Sequence, residues 1–118
     1  FDVINVHYYS WLNGKNWQGG GPAKSPEEDH FKERLSELID YRDANFPDTE
    51  VWISEFGWDT NPGSPLCVPQ INSFDREEVQ GQWIVRAYLA FAAAGVDRAQ
   101  MYMLRDVNSN SGRWFATC

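Results

Sequence analysis

Val51-Trp52-Ile53-Ser54-Glu55-Phe56-Gly57-Trp58-Asp59-Thr60 is the stretch on which the reading of this chain turns. Its first three residues are β-branched and aromatic, the composition of a strand buried on both faces. Glu55 then stands where that strand leaves the core. Gly57 beside it permits a sharp backbone turn, and Trp58 offers a large flat apolar surface. An acid next to an aromatic platform at the carboxyl end of a strand suits carbohydrate chemistry. The alternative is an ordinary solvated loop carboxylate, and the rest of the chain has to decide between them.

Upstream, Phe1 to Tyr9 carries its bulk at Val3, Ile4, Val6 and Tyr8, and reads as a strand ending in His7-Tyr8-Tyr9. Ser10 to Lys24 holds Gly14, Gly19, Gly20, Gly21 and Pro22 and is therefore a loop, into which Trp11 and Trp17 are set. Aromatics in such a stretch either pack the loop itself or present stacking surfaces to a ligand. Ser25-Pro26-Glu27-Glu28 is a helix start: a hydroxyl N-cap, Pro at the first helical position and Glu three residues after the cap. Phe31, Leu35, Leu38 and Ile39 recur at helical spacing, so the pattern predicts a helix from Ser25 to Asn45. Pro47 ends it, because the residue before a proline is pushed out of the α region.

Downstream, Asn61 to Phe74 is a second loop, rich in proline. Asp75 with Glu78 three residues later opens another helix, and Gly95 supplies the left-handed closing residue, giving a helix from Asp75 to Ala94. Ala99 to Leu104 is the next strand, followed by Arg105-Asp106. Strand, helix, strand, helix, strand, with helices long enough for right-handed crossovers, predicts an α/β chain with a parallel βαβαβ sheet. Its polar and aromatic residues gather after the strands, the edge where such folds place their sites.

Ten basic against seventeen acidic residues give a net charge of −7, which repels phosphate backbones and anionic membranes and argues for a neutral ligand. Six tryptophans in 118 residues strengthen the case for sugar stacking. No apolar run is long enough to span a bilayer. Cys67 and Cys118 lack the paired spacing of a zinc site, so no metal and no cofactor is expected; they form either a disulfide or two free thiols. A start without Met, directly in strand pattern, and an end just after a strand both suggest a piece of a longer protein.

Val6-His7-Tyr8-Tyr9, Ile53-Ser54-Glu55-Phe56-Gly57-Trp58 and the helix segment Gln82-Trp83-Ile84-Val85-Arg86-Ala87-Tyr88 together resemble the retaining glycoside hydrolases of the (β/α)8-barrel clan that includes cellulases, xylanases and mannanases. The resemblance implies that the three strands are the sixth to eighth of a barrel. Residues 1–118 would then be the C-terminal part of its catalytic domain, only about the last third of a barrel whose typical length is ~250 residues. It implies that Glu55 is the nucleophile, with Tyr9, or else Tyr8, donating to its carboxylate and favouring the charged form. His7, Tyr8, Trp11, Trp17, Trp58, Arg105 and Asp106 would contact substrate, an oligosaccharide or polysaccharide. Arg105 and Asp106 could instead pair with each other.

Two features depart from the clan pattern. Its acid/base Glu follows Asn on the fourth strand, which this sequence lacks, so the chain alone should be catalytically incompetent. Leu104-Arg105-Asp106 stands where the best-known cellulase family has Trp. The expected partners are substrate and the remainder of the barrel, with neither nucleic acid nor membrane, and the expected setting is secreted, cell-surface or periplasmic. Competing readings are a barrel that binds sugar after losing its acid/base, and an independent small α/β domain.

Overall fold

Three parallel strands form one sheet in the order β1-β2-β3, where β1 is Val3–Tyr8, β2 is Glu50–Phe56 and β3 is Arg98–Met101. The computed structural model describes residues 1–10 and 23–103. Helix α1 (Phe31–Asn45) connects β1 to β2, and helix α2 (Arg76–Ala94) connects β2 to β3. Both helices lie on the same face of the sheet and contribute to one core: Phe31 and Leu35 from α1, Ile53 and Phe56 from β2, and Val79, Trp83, Ala87 and Phe91 from α2. Winding proceeds in one direction, and among the described residues no helix covers the opposite face. There the side chains of β1, β2 and β3 include Val3, Asn5, His7, Glu50, Trp52, Glu55, Arg98 and Gln100, all exposed or half-buried.

A bulge in β2 decides which face Glu55 joins. Strict alternation from Val51 and Ile53, both fully buried, would send residue 55 into the core. Instead Val6 pairs with Ile53 while His7 pairs with Glu55, and Ala99 pairs with Ile53 while Met101 pairs with Phe56. Against both neighbours β2 carries one extra residue here. The phase is reset, so that Glu55 joins the open face and Phe56 is buried completely.

Helix α2 begins and ends as its sequence predicts. Asp75 accepts from the Glu78 N–H and Glu78 reaches back to the Asp75 N–H, while Gly95 closes the helix at φ 92°. The start of the other helix differs from expectation. The capping box between Ser25 and Glu28 forms, with Ser25 N–H donating to Glu28 at 2.9 Å and Glu28 N–H to Ser25 Oγ at 3.2 Å. Yet it caps only a single turn. His30 adopts φ 54° and ψ 44°, its N–H bonds the Glu27 carbonyl and the Phe31 N–H bonds the Pro26 carbonyl, the bond pattern of a Schellman closure. The helix restarts at Phe31, so the expected start at Ser25 is replaced by a turn, a left-handed residue and then α1. Holding a non-glycine residue in that conformation costs roughly 1–2 kcal/mol. What offsets it is the burial of Phe31, at 1% exposure, immediately after the break.

Asp97, between α2 and β3, ties the opposite end of the sheet. Its carboxylate accepts from the Val51 N–H at 2.7 Å and from Arg42 at 3.0 Å. Those bonds, the Val51 N–H first, hold its carboxyl below the ordinary aspartate range.

Candidate active site

At the carboxyl ends of β1 and β2 the open face carries a carboxylate, a phenol and an imidazole in contact. Tyr9 Oη donates to Glu55 Oε2 at 2.9 Å. His7 Nδ1 lies 3.5 Å from the same oxygen, close enough for charge attraction but long for a hydrogen bond. The paired register of His7 and Glu55 produces this proximity, since paired residues of parallel strands point to the same side. The His7 and Glu55 side chains remain 53% and 32% exposed, so a solute can reach them. Among the described residues nothing hydrogen-bonds Glu55 Oε1, which leaves one carboxylate oxygen held and the other available.

Burial, then the bond to Glu55 and its negative charge, push the Tyr9 phenol well above its ordinary value. It therefore stays protonated and acts as a donor through the whole physiological range. Tyr102, whose charge acts in the same direction, stands nearby at the end of β3. Close approach of the strands explains Gly57. A Cβ there would lie 2.6 Å from the Tyr102 carbonyl oxygen, while the Tyr102 N–H donates to the Phe56 carbonyl at 2.9 Å. The glycine expected to permit a turn instead permits contact between β2 and β3 directly beside Glu55.

Two expected substrate contacts belong to the helix side. Trp58 is 1% exposed, stacked on Phe31 with ring centroids 5.8 Å apart and edge-on to Trp83 at 5.6 Å. Its indole N–H donates to the Lys24 carbonyl at 2.9 Å, and its own carbonyl accepts from Gln80. A stacking platform needs an open ring face, so the structure reassigns Trp58 to the core. Tyr8 is likewise corrected. One residue out of phase with Tyr9, it turns away from Glu55 and meets Phe31 edge-on at 4.5 Å. Its hydroxyl is buried with no hydrogen-bond partner, and burial with the neighbouring Asp29 charge pushes its pKa up to about 12.

The tryptophan on the open face is Trp52, whose indole N–H donates to Glu50 at 2.6 Å beneath the Arg98 guanidinium, 4.8 Å from the ring centre. Its signal was its phase between Val51 and Ile53. Trp11, Trp17, Arg105 and Asp106 lie outside the described residues, as does Cys118. Cys67 is a buried free thiol with Sγ on the Val68 carbonyl, raised in pKa by burial. Among the described residues no cluster of three or more His, Cys, Asp or Glu could hold a metal, and no helix is long and apolar enough to cross a membrane.

No protein-family model, curated protein or solved structure matches the chain.

Chemically, a carboxylate with one oxygen fixed by a neutral phenol and the other open is suited to attack on an electrophilic carbon. The phenol spreads the carboxylate charge without transferring a proton to it, and it fixes the direction in which the second oxygen points.

Proposed function

We propose that this chain is one sector of a (β/α)8 barrel belonging to a retaining glycoside hydrolase, with Glu55 as its nucleophile. The observation that carries the reading is the 2.9 Å bond from Tyr9 to Glu55 on an accessible sheet face, at the carboxyl ends of parallel strands. In this mechanism Glu55 attacks the anomeric carbon to form a glycosyl ester. Tyr9 holds the carboxylate in line, and His7, beside the same oxygen, contacts a sugar hydroxyl. A second carboxylic acid about 5 Å away protonates the leaving oxygen and then activates water. That acid comes from another strand of the barrel.

The winding supports the barrel. Parallel sheets with one uncovered face are rare because both faces need cover, and among the described residues the face away from the helices carries polar and aromatic side chains that would suit a barrel interior. Helix α2 also carries exposed Gly81, Val85, Tyr88 and Ala92 at spacings of four, three and four, a stripe suited to the next helix of such a ring. The excess of acidic residues favours a neutral polysaccharide.

The test is Glu55→Ala in the full-length protein, assayed with aryl glycosides and then with added azide or formate. Turnover should fall by several orders of magnitude and return in part with the anion, giving a product of inverted anomeric configuration because one displacement has replaced two. Unimpaired turnover, or rescue without inversion, would remove Glu55 from the role. Oligosaccharide binding without any hydrolysis by the unaltered protein would favour a sugar-binding barrel.

A further inference from the structure

The most heavily buried carboxylate near β1 is not Glu55 but Asp29, in the turn before the helix break. Its side chain is 7% exposed, beside the Tyr8 hydroxyl: Ser10 Oγ donates to Oδ2 at 3.3 Å, Arg34 lies 3.6 Å from Oδ1, and Lys24 Nζ lies 4.0 Å from it. Ser10 is itself 1% exposed, and its carbonyl accepts from the Lys24 N–H at 3.2 Å. The residue before Tyr9 is anchored in the same layer, the Tyr8 ring against Phe31 and its hydroxyl beside Asp29. Tyr9 thus stands between two residues that are both fixed to the helix side, while its own side chain crosses to the open face and reaches Glu55.

We propose that Asp29 is a positioning residue: through Ser10 it clamps the end of β1 and thereby holds the Tyr9 hydroxyl on Glu55. The assignment to catalysis rests on the glycosidase reading above, whereas the clamp itself does not. Asp29 touches neither substrate nor Glu55. Its negative charge, compensated by Lys24 and Arg34, makes it the acceptor for the Ser10 hydroxyl, in a long 3.3 Å contact between two buried groups. The left-handed His30 immediately after it ends the turn there, so Asp29 is set by backbone geometry rather than by a free side-chain choice. Loss of this acceptor frees Ser10, and the displacement passes to Tyr9 through one peptide unit. Small misplacements of a group that orients a reacting atom cost rate without costing substrate affinity.

The experiment places 3,5-difluorotyrosine at position 9 of the full-length protein and follows its ionisation by fluorine NMR, the fluorines bringing the transition into an accessible pH range. Asp29→Ala, Asp29→Asn and Ser10→Ala are compared with the unaltered chain, and the same label at exposed Tyr41 serves as control. The clamp predicts that the label at position 9 titrates lower in Asp29→Ala and Ser10→Ala, as the phenol loses burial and its fixed contact with Glu55. Asp29→Asn, which keeps an acceptor oxygen, should shift it least, and the label at Tyr41 should not move. On aryl glycosides, kcat should fall about 10- to 100-fold in the two alanine variants with KM nearly unchanged.

Unchanged titration at position 9 in folded Ser10→Ala overturns the clamp, even if stability drops, because a purely structural role would lower Tm alone. If Asp29→Ala does not fold, Ser10→Ala and Asp29→Asn decide the matter. A shifted titration in a protein that hydrolyses no glycoside leaves the clamp standing and removes the glycosidase reading instead.

Discussion

The two faces of this sheet were built to different rules. On the helix side, Val51, Ile53 and Phe56 are fully buried against α1 and α2, and aromatic rings meet in series from Phe31 through Trp58 to Trp83 and from Phe56 to Phe91. On the open side, Tyr9 donates to Glu55 and His7 lies 3.5 Å from the same oxygen, with the His7 and Glu55 side chains still partly accessible. The bulge in β2 is the boundary between the two, assigning adjacent residues, Glu55 and Phe56, to opposite duties. One face holds the fold, and the other carries the proposed site.

The sharpest way to break that division is to truncate the adjacent pair one at a time. Phe56→Ala should cost about 3–5 kcal/mol, the range for deleting a buried aromatic ring. Glu55→Ala should cost about 1 kcal/mol, the worth of one hydrogen bond at a partly exposed site. Denaturant melts of the two variants check it, and equal losses would mean that the faces are not energetically distinct.

An intermediate effect is expected at the seam, where Gly57→Ala forces a Cβ into the Tyr102 carbonyl. Main chain cannot swing aside as a side chain can, so a loss of about 1–3 kcal/mol follows, within the range for overpacking. The same melts measure it.

The smallest effect belongs to Tyr8, the polar intruder on the apolar side. Tyr8→Phe removes a buried hydroxyl without a partner and should be neutral or stabilising by about 1 kcal/mol at pH 7. The sign of its pH dependence follows from the raised pKa. The fold favours the neutral phenol, so the contribution is present in full below pH 10, the ordinary tyrosine value, and is lost as pH rises to about 12. Stability curves from pH 8 to 12 should fall less steeply for the Phe variant than for the unaltered chain.

These contrasts also mark what the sequence disclosed. Periodicity and caps located α2 to within a residue, because a capping box and a terminal glycine act locally. The parallel order was legible for the same reason, as each crossover needs a helix between strands. The break at His30 was not, since histidine carries only a modest left-handed preference and the turn is held by contacts of Asp29 and Phe31 with distant residues. The bulge was equally hidden. In a regular strand Glu55 would follow Val51 and Ile53 into the core, and only pairing with both neighbours reveals the extra residue. Trp58 misled because a tryptophan after glycine at a strand end reads as a platform, whereas tertiary packing sends it inward. The contact of Tyr9 with Glu55 was legible because one sits just past the end of β1 and the other in the last pleat of β2, and parallel topology brings those ends to one edge.

The most direct measurement is covalent trapping. The full-length protein is incubated with a panel of 2-deoxy-2-fluoroglycosyl fluorides, which slow the second displacement more than the first and let a glycosyl-enzyme accumulate. Digestion and mass spectrometry then locate the sugar. The account predicts one fluoroglycosyl group per chain, esterified to Glu55, and none in Glu55→Gln. A retaining protein labelled on any other carboxylate would contradict it.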